Sequence, residues 1–155
     1  VSTVKTLHYD WRNQDFIVML QGDLDALGGA KLSGRVQCLD TTAGCINTLY
    51  RMRLVQDTGF LYDCYLFAPQ PSPVQNELRT RFWAAILEKP PEVFVVTNQL
   101  CVNPAGDYRK LDQWPQFLGY LDTDYFLYAQ RAPTRPVRWW GHTLPPYGYR
   151  IYVRK

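Results

Sequence analysis

The sequence predicts an α/β fold: a three-layer αβα sandwich, Rossmann-like in the broad sense, with a mostly parallel sheet of about five strands. Short apolar runs typical of buried strands alternate along the chain with segments of helical periodicity. The last two predicted strands have no helix between them, so we expect the C-terminal strand to be an antiparallel edge. The length of 155 residues fits a single domain, residues 1–155.

Composition excludes several classes of protein. With 46% hydrophobic and 15% aromatic residues, the chain is too apolar for simple disorder, and it has neither a glycine period nor a heptad run. No apolar stretch approaches the roughly 18 residues of a transmembrane helix. The net charge of +3 comes from scattered Lys and Arg, so we expect no nucleic-acid partner.

The first half of the chain predicts two helices and two strands. A helix over residues 15–27 places its apolar side chains on one face: Phe16, Leu20, Leu24 and Leu27. Residues 34–39 are predicted to form a short strand, and a second helix is predicted from Ile46 to Arg53. The aromatic-rich segment 60–67 is nearly all apolar, which favours a strand covered on both faces.

The second half begins with a helix whose start is marked by Ser72 as a cap and Pro73 at the first helical position. A shorter helix is predicted around residues 115–121. Three segments have strand patterns: residues 93–96, residues 125–129 and the C-terminal segment from Tyr149. Residues 131–148 are rich in Pro, Arg and aromatic residues without a period, which indicates a long loop.

No catalytic residue emerges from the sequence. There is no GxSxG motif, and His8 and His142 both fall in predicted loops without a matching nucleophile. Asp23 and Asp25 are two apart on a helix and do not share a face, whereas Asp122 and Asp124 flank a helix end. We therefore expect no catalytic turnover by this chain in isolation.

The four cysteines carry no metal or redox motif. Cys38, Cys45, Cys64 and Cys101 include no CxxC pair and no zinc-ligand spacing. We favour buried free thiols, since cysteine is commonly buried. The alternative is a disulfide, with Cys38–Cys45 the pair closest in sequence. The sequence predicts no metal site and no cofactor.

The turn at residues 40–44 is the best candidate for a ligand site. It lies where a predicted strand ends and a helix begins, which is the usual ligand edge of an open α/β sheet, and Asn98 follows another strand at the same edge. Backbone N–H groups there suit a small anion such as a nucleotide or phosphosugar. The candidate ligand-binding residues are Asp40, Thr41, Thr42 and Asn98. The favoured interpretation is ordinary, with Thr42 as a helix N-cap.

Cations and aromatic residues are interleaved near the C-terminus, and Arg138, Trp139 and Trp140 are their centre. Such a mixture favours a loop held down by its own aromatic side chains. The alternative is a docking surface, and for this a membrane interface or the rest of a membrane protein is a better partner than nucleic acid.

Several segments carry a resemblance to a known family, and they include Leu32–Thr41, Gly44–Tyr50, Thr58–Asp63, Pro91–Thr97, Trp114–Phe117 and Tyr149–Arg154. Together they resemble the C-terminal soluble domain of bacterial membrane glycosyltransferases related to dolichyl-phosphate-mannose protein mannosyltransferases and lipid A aminoarabinose transferases. The resemblance covers the chain from about Trp11 to its end.

The resemblance implies a non-catalytic accessory domain on the periplasmic side of the bacterial cytoplasmic membrane. Its partner would be the membrane-embedded part of the same polypeptide, which takes sugar from a polyprenyl-phosphate donor, with the membrane surface as a further contact. Residues 1–12 would be a linker from the membrane region, consistent with a chain that does not begin with Met. An oxidising compartment would raise the chance of a disulfide.

Overall fold

The computed structural model describes residues 14–101, 107–132, 137–139, 142–144 and 147–155, with backbone only for 137–139 and 142–144. The helices are α1 (Gln14–Leu27), α2 (Cys45–Arg51), α3 (Cys64–Phe67), α4 (Pro73–Glu88) and α5 (Pro115–Asp124). Two 3-10 turns cover Gly29–Leu32 and Arg109–Gln113. The strands are β1 (Val36–Leu39), β2 (Val93–Thr97), β3 (Tyr125–Arg131), β4 (Val137–Trp139), β5 (His142–Leu144) and β6 (Tyr149–Arg154).

The main sheet has four strands in the order β1-β2-β6-β3. β1 and β2 are parallel, with Cys38 opposite Val95. β6 runs antiparallel to both of its neighbours, β2 and β3. Between β3 and β6, β4 and β5 form a separate antiparallel pair.

The predicted Rossmann-like sandwich with a mostly parallel sheet of five strands is therefore wrong. In the described part of the chain, only β1 and β2 are parallel, and the C-terminal strand lies between two others rather than at an edge. Tyr149 and Ile151 are buried on one face of β6 and Tyr152 on the other. A strand with both faces apolar is stabilised most in a central position. The apolar pattern predicted this burial, but it carries no information about strand direction.

Segment 60–67 is the strand that the prediction added in error. It forms a connection followed by α3, in which Leu66 and Phe67 are buried while Tyr65 is 61% exposed. The chain turns at Asp63, whose N–H donates to the carbonyl of Asp40 at 3.1 Å. Asp63 is thus bonded to the residue that follows β1, and segment 60–67 is not part of the main sheet.

The predicted loop over residues 131–148 contains more regular structure than expected. Arg131 is the last residue of β3, and β4 and β5 pair with each other within the segment. Arg138 and Trp139 belong to β4, where only the backbone is described. Trp140 is outside the described residues.

One face of the main sheet is covered by α1 and α2. Three of the four residues of the predicted apolar stripe of α1, Phe16, Leu20 and Leu24, are at most 4% exposed and belong to one core cluster with residues of β1, β2 and β6. The fourth, Leu27, is partly buried against the same cluster. Burial of such side chains contributes about 1.5–3 kcal/mol each. The predicted helix over residues 15–27 is confirmed.

The other face is covered by α3, α4 and α5 and is dominated by aromatic rings. Phe82 and Phe117 are fully buried and contact each other with ring centroids 6.0 Å apart. The predicted start of α4 is confirmed, since the Ser72 side chain accepts a hydrogen bond from the N–H of Gln75 and Pro73 opens the helix. No helix in the described part of the chain has both the length and the apolarity to cross a membrane.

Candidate functional site

Three of the four predicted ligand-binding residues lie together at the carboxyl edge of β1. Asp40, Thr41 and Thr42 line a small pocket of about 80 Å³, which is completed by Gly44, Ile46, Asn47 and Tyr62. Asn98 is not among its lining residues. The Asn98 carboxamide oxygen instead accepts a hydrogen bond from the N–H of Gly148 at 2.8 Å, which fixes the start of β6.

The Asp40 carboxylate is buried and fully engaged by the protein. It accepts hydrogen bonds from the N–H groups of Ala43, Gly44 and Cys45 at 2.9–3.0 Å and from the Thr97 hydroxyl at 3.0 Å. These N–H groups are those that an anionic ligand would use at the start of α2. Asp40 therefore performs the capping that the sequence assigned to Thr42.

The shape of the turn makes this capping possible. Gly44 has φ of 134°, a conformation that favours glycine, and a Cβ atom there would lie 2.9 Å from Cδ1 of Phe16. The turn thus packs directly on α1 while its N–H groups face Asp40. Both features depend on a residue without a side chain at position 44.

A buried ion pair lies behind the turn. Lys110 and Asp63 have side chains 1% exposed, and the Lys110 ammonium contacts the Asp63 carboxylate at 2.5 Å. The same ammonium donates to the carbonyls of Leu39 and Gln99, each at 3.0 Å. Burial raises the pKa of Asp63, and the nearby Lys110 charge opposes this shift.

Two further contacts join the turn to the end of β2. The Gln99 carboxamide accepts from the N–H of Thr42 at 2.7 Å and donates to the Thr42 hydroxyl at 2.8 Å. The Thr41 hydroxyl donates to Asp63 at 3.0 Å. Asp40, Asp63, Gln99 and Lys110 thus form one interlocked polar cluster, which we call the edge cluster.

The edge cluster has the features of a structural centre. Its carboxylates and ammonium are all satisfied by protein groups, and the negative charge of Asp40 occupies the position an anion would take. Among the described residues, no group of three or more His, Cys, Asp or Glu side chains is arranged to hold a metal ion. Lys110 could not be predicted from the sequence because its partner, Asp63, is 47 residues away.

An exposed apolar groove lies between residues 59–66 and α4. We call it the aromatic groove; it measures about 450 Å³ and is lined by Gly59, Phe60, Leu61, Tyr62, Tyr65, Leu66, Leu78 and Arg81. Leu61, Tyr62 and Tyr65 are each 51–61% exposed. Sequence reasoning missed this groove because it interpreted the same aromatic run as a buried strand.

Two disulfides are formed, and no free cysteine remains. Cys38 bonds to Cys45, which ties β1 to α2, and Cys64 bonds to Cys101, which ties α3 to the segment after β2. The favoured expectation of free thiols is wrong. The alternative pair Cys38–Cys45 is confirmed. The two cysteines are seven residues apart, and the turn between them is held by hydrogen bonds to Asp40.

Comparison of the chain with protein-family models, with curated proteins and with solved structures finds no match.

Proposed function

We propose that this chain is a non-catalytic accessory domain of a polyprenyl-phosphate-sugar-dependent membrane glycosyltransferase. It docks on or covers the membrane-embedded part of the same polypeptide. The observation that carries the docking role is the aromatic groove, an apolar depression bordered by three large exposed side chains. The transferase context rests on the sequence resemblance.

The chemistry of the groove suits a partner at a membrane boundary. Tyr62 and Tyr65 each present an apolar ring and a polar hydroxyl, the combination that is enriched where one side of a surface is apolar and the other wet. Arg81 stands at the rim and is paired with Glu77 at 2.7 Å, so the rim is charged while the walls are apolar. Contiguous exposed apolar surface of this kind is typical of interaction sites.

The edge cluster supports a role without catalysis. A general acid or base must reach a substrate proton, and a nucleophile must be accessible. Asp40, Asp63 and Lys110 are at most 3% exposed and bonded to protein groups. The groups at this edge therefore stabilise the fold rather than face a substrate.

The two disulfides support the proposed compartment. Disulfides persist mainly in oxidising environments, including the bacterial periplasm. In an accessory domain on the periplasmic side of the cytoplasmic membrane, both Cys38–Cys45 and Cys64–Cys101 would form.

The docking role is tested by photo-crosslinking in the full-length protein in its native membrane. The photoreactive residue p-benzoylphenylalanine is placed at Tyr65 in the groove, and crosslinked peptides are identified by mass spectrometry. We expect crosslinks between the groove and peptides of the membrane part. Tyr50 is 84% exposed and does not line the groove, so the same residue placed there is the control and should give none.

Two outcomes would contradict the docking role. In the first, position 65 yields no crosslink to the membrane part. In the second, positions 65 and 50 crosslink to it equally, which would show proximity without a defined docking surface.

A further inference from the structure

The two disulfides differ in how accessible they are. Cys38 and Cys45 are 1% and 0% exposed, within the core cluster under α1. Cys64 and Cys101 are both partly exposed. Thiol–disulfide exchange requires an external thiolate to reach a sulfur atom, so accessibility decides which bond reacts first.

The accessible disulfide fastens the same segments as the buried ion pair. Cys64 follows Asp63 directly, and Cys101 lies two residues after Gln99. Lys110 donates to the Asp63 carboxylate and to the Gln99 carbonyl, so it bridges the two segments that the disulfide joins. The disulfide and the ion pair therefore hold the same two segments together.

The backbone at Cys101 adds a reason for this junction to open once the bond is broken. Cys101 has φ of 50°, in the left-handed region that side-chain-bearing residues rarely adopt. Such a conformation persists only where the surrounding structure enforces it. The bond to Cys64 is one enforcing contact, and Cys64 begins α3, whose residues Tyr65 and Leu66 line the aromatic groove.

We infer that Cys64–Cys101 is a thiol–disulfide exchange site for a dithiol reductant, and that its reduction releases Lys110 from its buried pair. One thiolate of the dithiol attacks one cystine sulfur, forming a mixed disulfide and expelling the other cysteine as a thiolate. The second thiol of the reductant then displaces the first cysteine. The dithiol is oxidised to a disulfide, and two electrons and two protons reduce the cystine to two thiols.

The test treats the intact 155-residue chain with increasing dithiothreitol at pH 8, followed by trapping with N-ethylmaleimide and peptide mass spectrometry. We expect Cys64 and Cys101 to be labelled at reductant concentrations that leave Cys38 and Cys45 unlabelled. Labelling of all four together, or of Cys38 and Cys45 first, would overturn the inference.

Release of Lys110 is measured in the same samples by brief acetylation with an amine-reactive ester. We expect acetylation of Lys110 to increase at least ten-fold in the selectively reduced chain, while that of the exposed Lys31 is unchanged. Unchanged acetylation of Lys110 would disprove the coupling. The double variant Cys64→Ser, Cys101→Ser should show reactive Lys110 without reductant; if it does not fold, the titration of the natural chain decides alone. None of these readouts depends on the proposed docking role.

Discussion

At the scale of single residues, Asp40 and Lys110 organise the carboxyl edge of the sheet. The Asp40 carboxylate accepts hydrogen bonds from three N–H groups at the start of α2. The Lys110 ammonium donates to carbonyls just at or after the ends of β1 and β2 and to the Asp63 carboxylate. A buried polar group is costly when unpaired and nearly neutral when fully bonded. Each of these two side chains is fully bonded, so each stabilises one specific arrangement of three segments.

Removal of one member of the Lys110–Asp63 pair should lower the free energy of unfolding. Lys110→Met leaves the Asp63 carboxylate buried without its counter-charge, and we expect the free energy of unfolding at pH 7 to fall by about 3–5 kcal/mol. Burial already raises the pKa of Asp63, and loss of the lysine raises it further. The folded variant therefore binds a proton more readily than its unfolded chain, and the cost should shrink as the pH falls from 7 to 5.

Urea denaturation at both pH values measures this difference. Arg109→Met is the matched control, since Arg109 is the neighbouring residue and its pair with Asp107 is on the surface. We expect the free energy of unfolding of this control variant to be close to that of the natural chain. A buried ion pair would be contradicted if the two variants lost equal free energies of unfolding. It would also be contradicted if the loss caused by Lys110→Met did not change with pH.

At the scale of elements, three tyrosines fix the strands β3 and β6 to their surroundings. Tyr125 donates to the carbonyl of Pro91 at 2.7 Å, and Tyr149 donates to Asp23 of α1 at 2.7 Å. Tyr108 lies under the guanidinium of Arg150, 4.0 Å from the ring centroid. Burial is the largest cause that raises the pKa of each phenol, to about 12 for Tyr108.

These shifts predict that the fold loses stability at alkaline pH. Above about pH 10 the unfolded tyrosines lose their protons while Tyr125 and Tyr149 keep theirs in the fold, so stability should fall as pH rises. The loss is at most about 1.4 kcal/mol per pH unit for each residue. Urea denaturation at pH 9, 10 and 11 measures the slope, and Tyr149→Phe should make it shallower. A stability that is constant between pH 9 and 11 would contradict the prediction.

At the scale of the whole molecule, local signals in the sequence predicted local structure well. The stripe of α1, the cap at Ser72 and the buried strand at 93–96 can each be recognised within a short run of residues, and all three are confirmed. The capping function before α2 was also predicted, but on the wrong residue. Asp40 reaches the N–H groups only because Gly44 adopts a positive φ, which the spacing of polar residues does not reveal.

Features that depend on distant contacts were not predictable in the same way. The central position of β6 depends on pairing with β2 and β3, and the apolar pattern of a strand does not name its partners. The composition of run 60–67 indicates a buried strand, whereas in the structure the run contains α3 and Asp63, which contacts the distant residues Asp40 and Lys110. The aromatic groove results from the path of this run, so it was hidden from the sequence for the same reason.

The role proposed for this chain is that of a docking domain of a membrane glycosyltransferase. It is tested most directly by fractionating the native source and probing the fractions with an antibody against residues 14–101. We predict a band in the membrane fraction that is much larger than the 18.1 kDa of this chain. A band at 18.1 kDa in the soluble fraction, with none in the membrane, would contradict the claim.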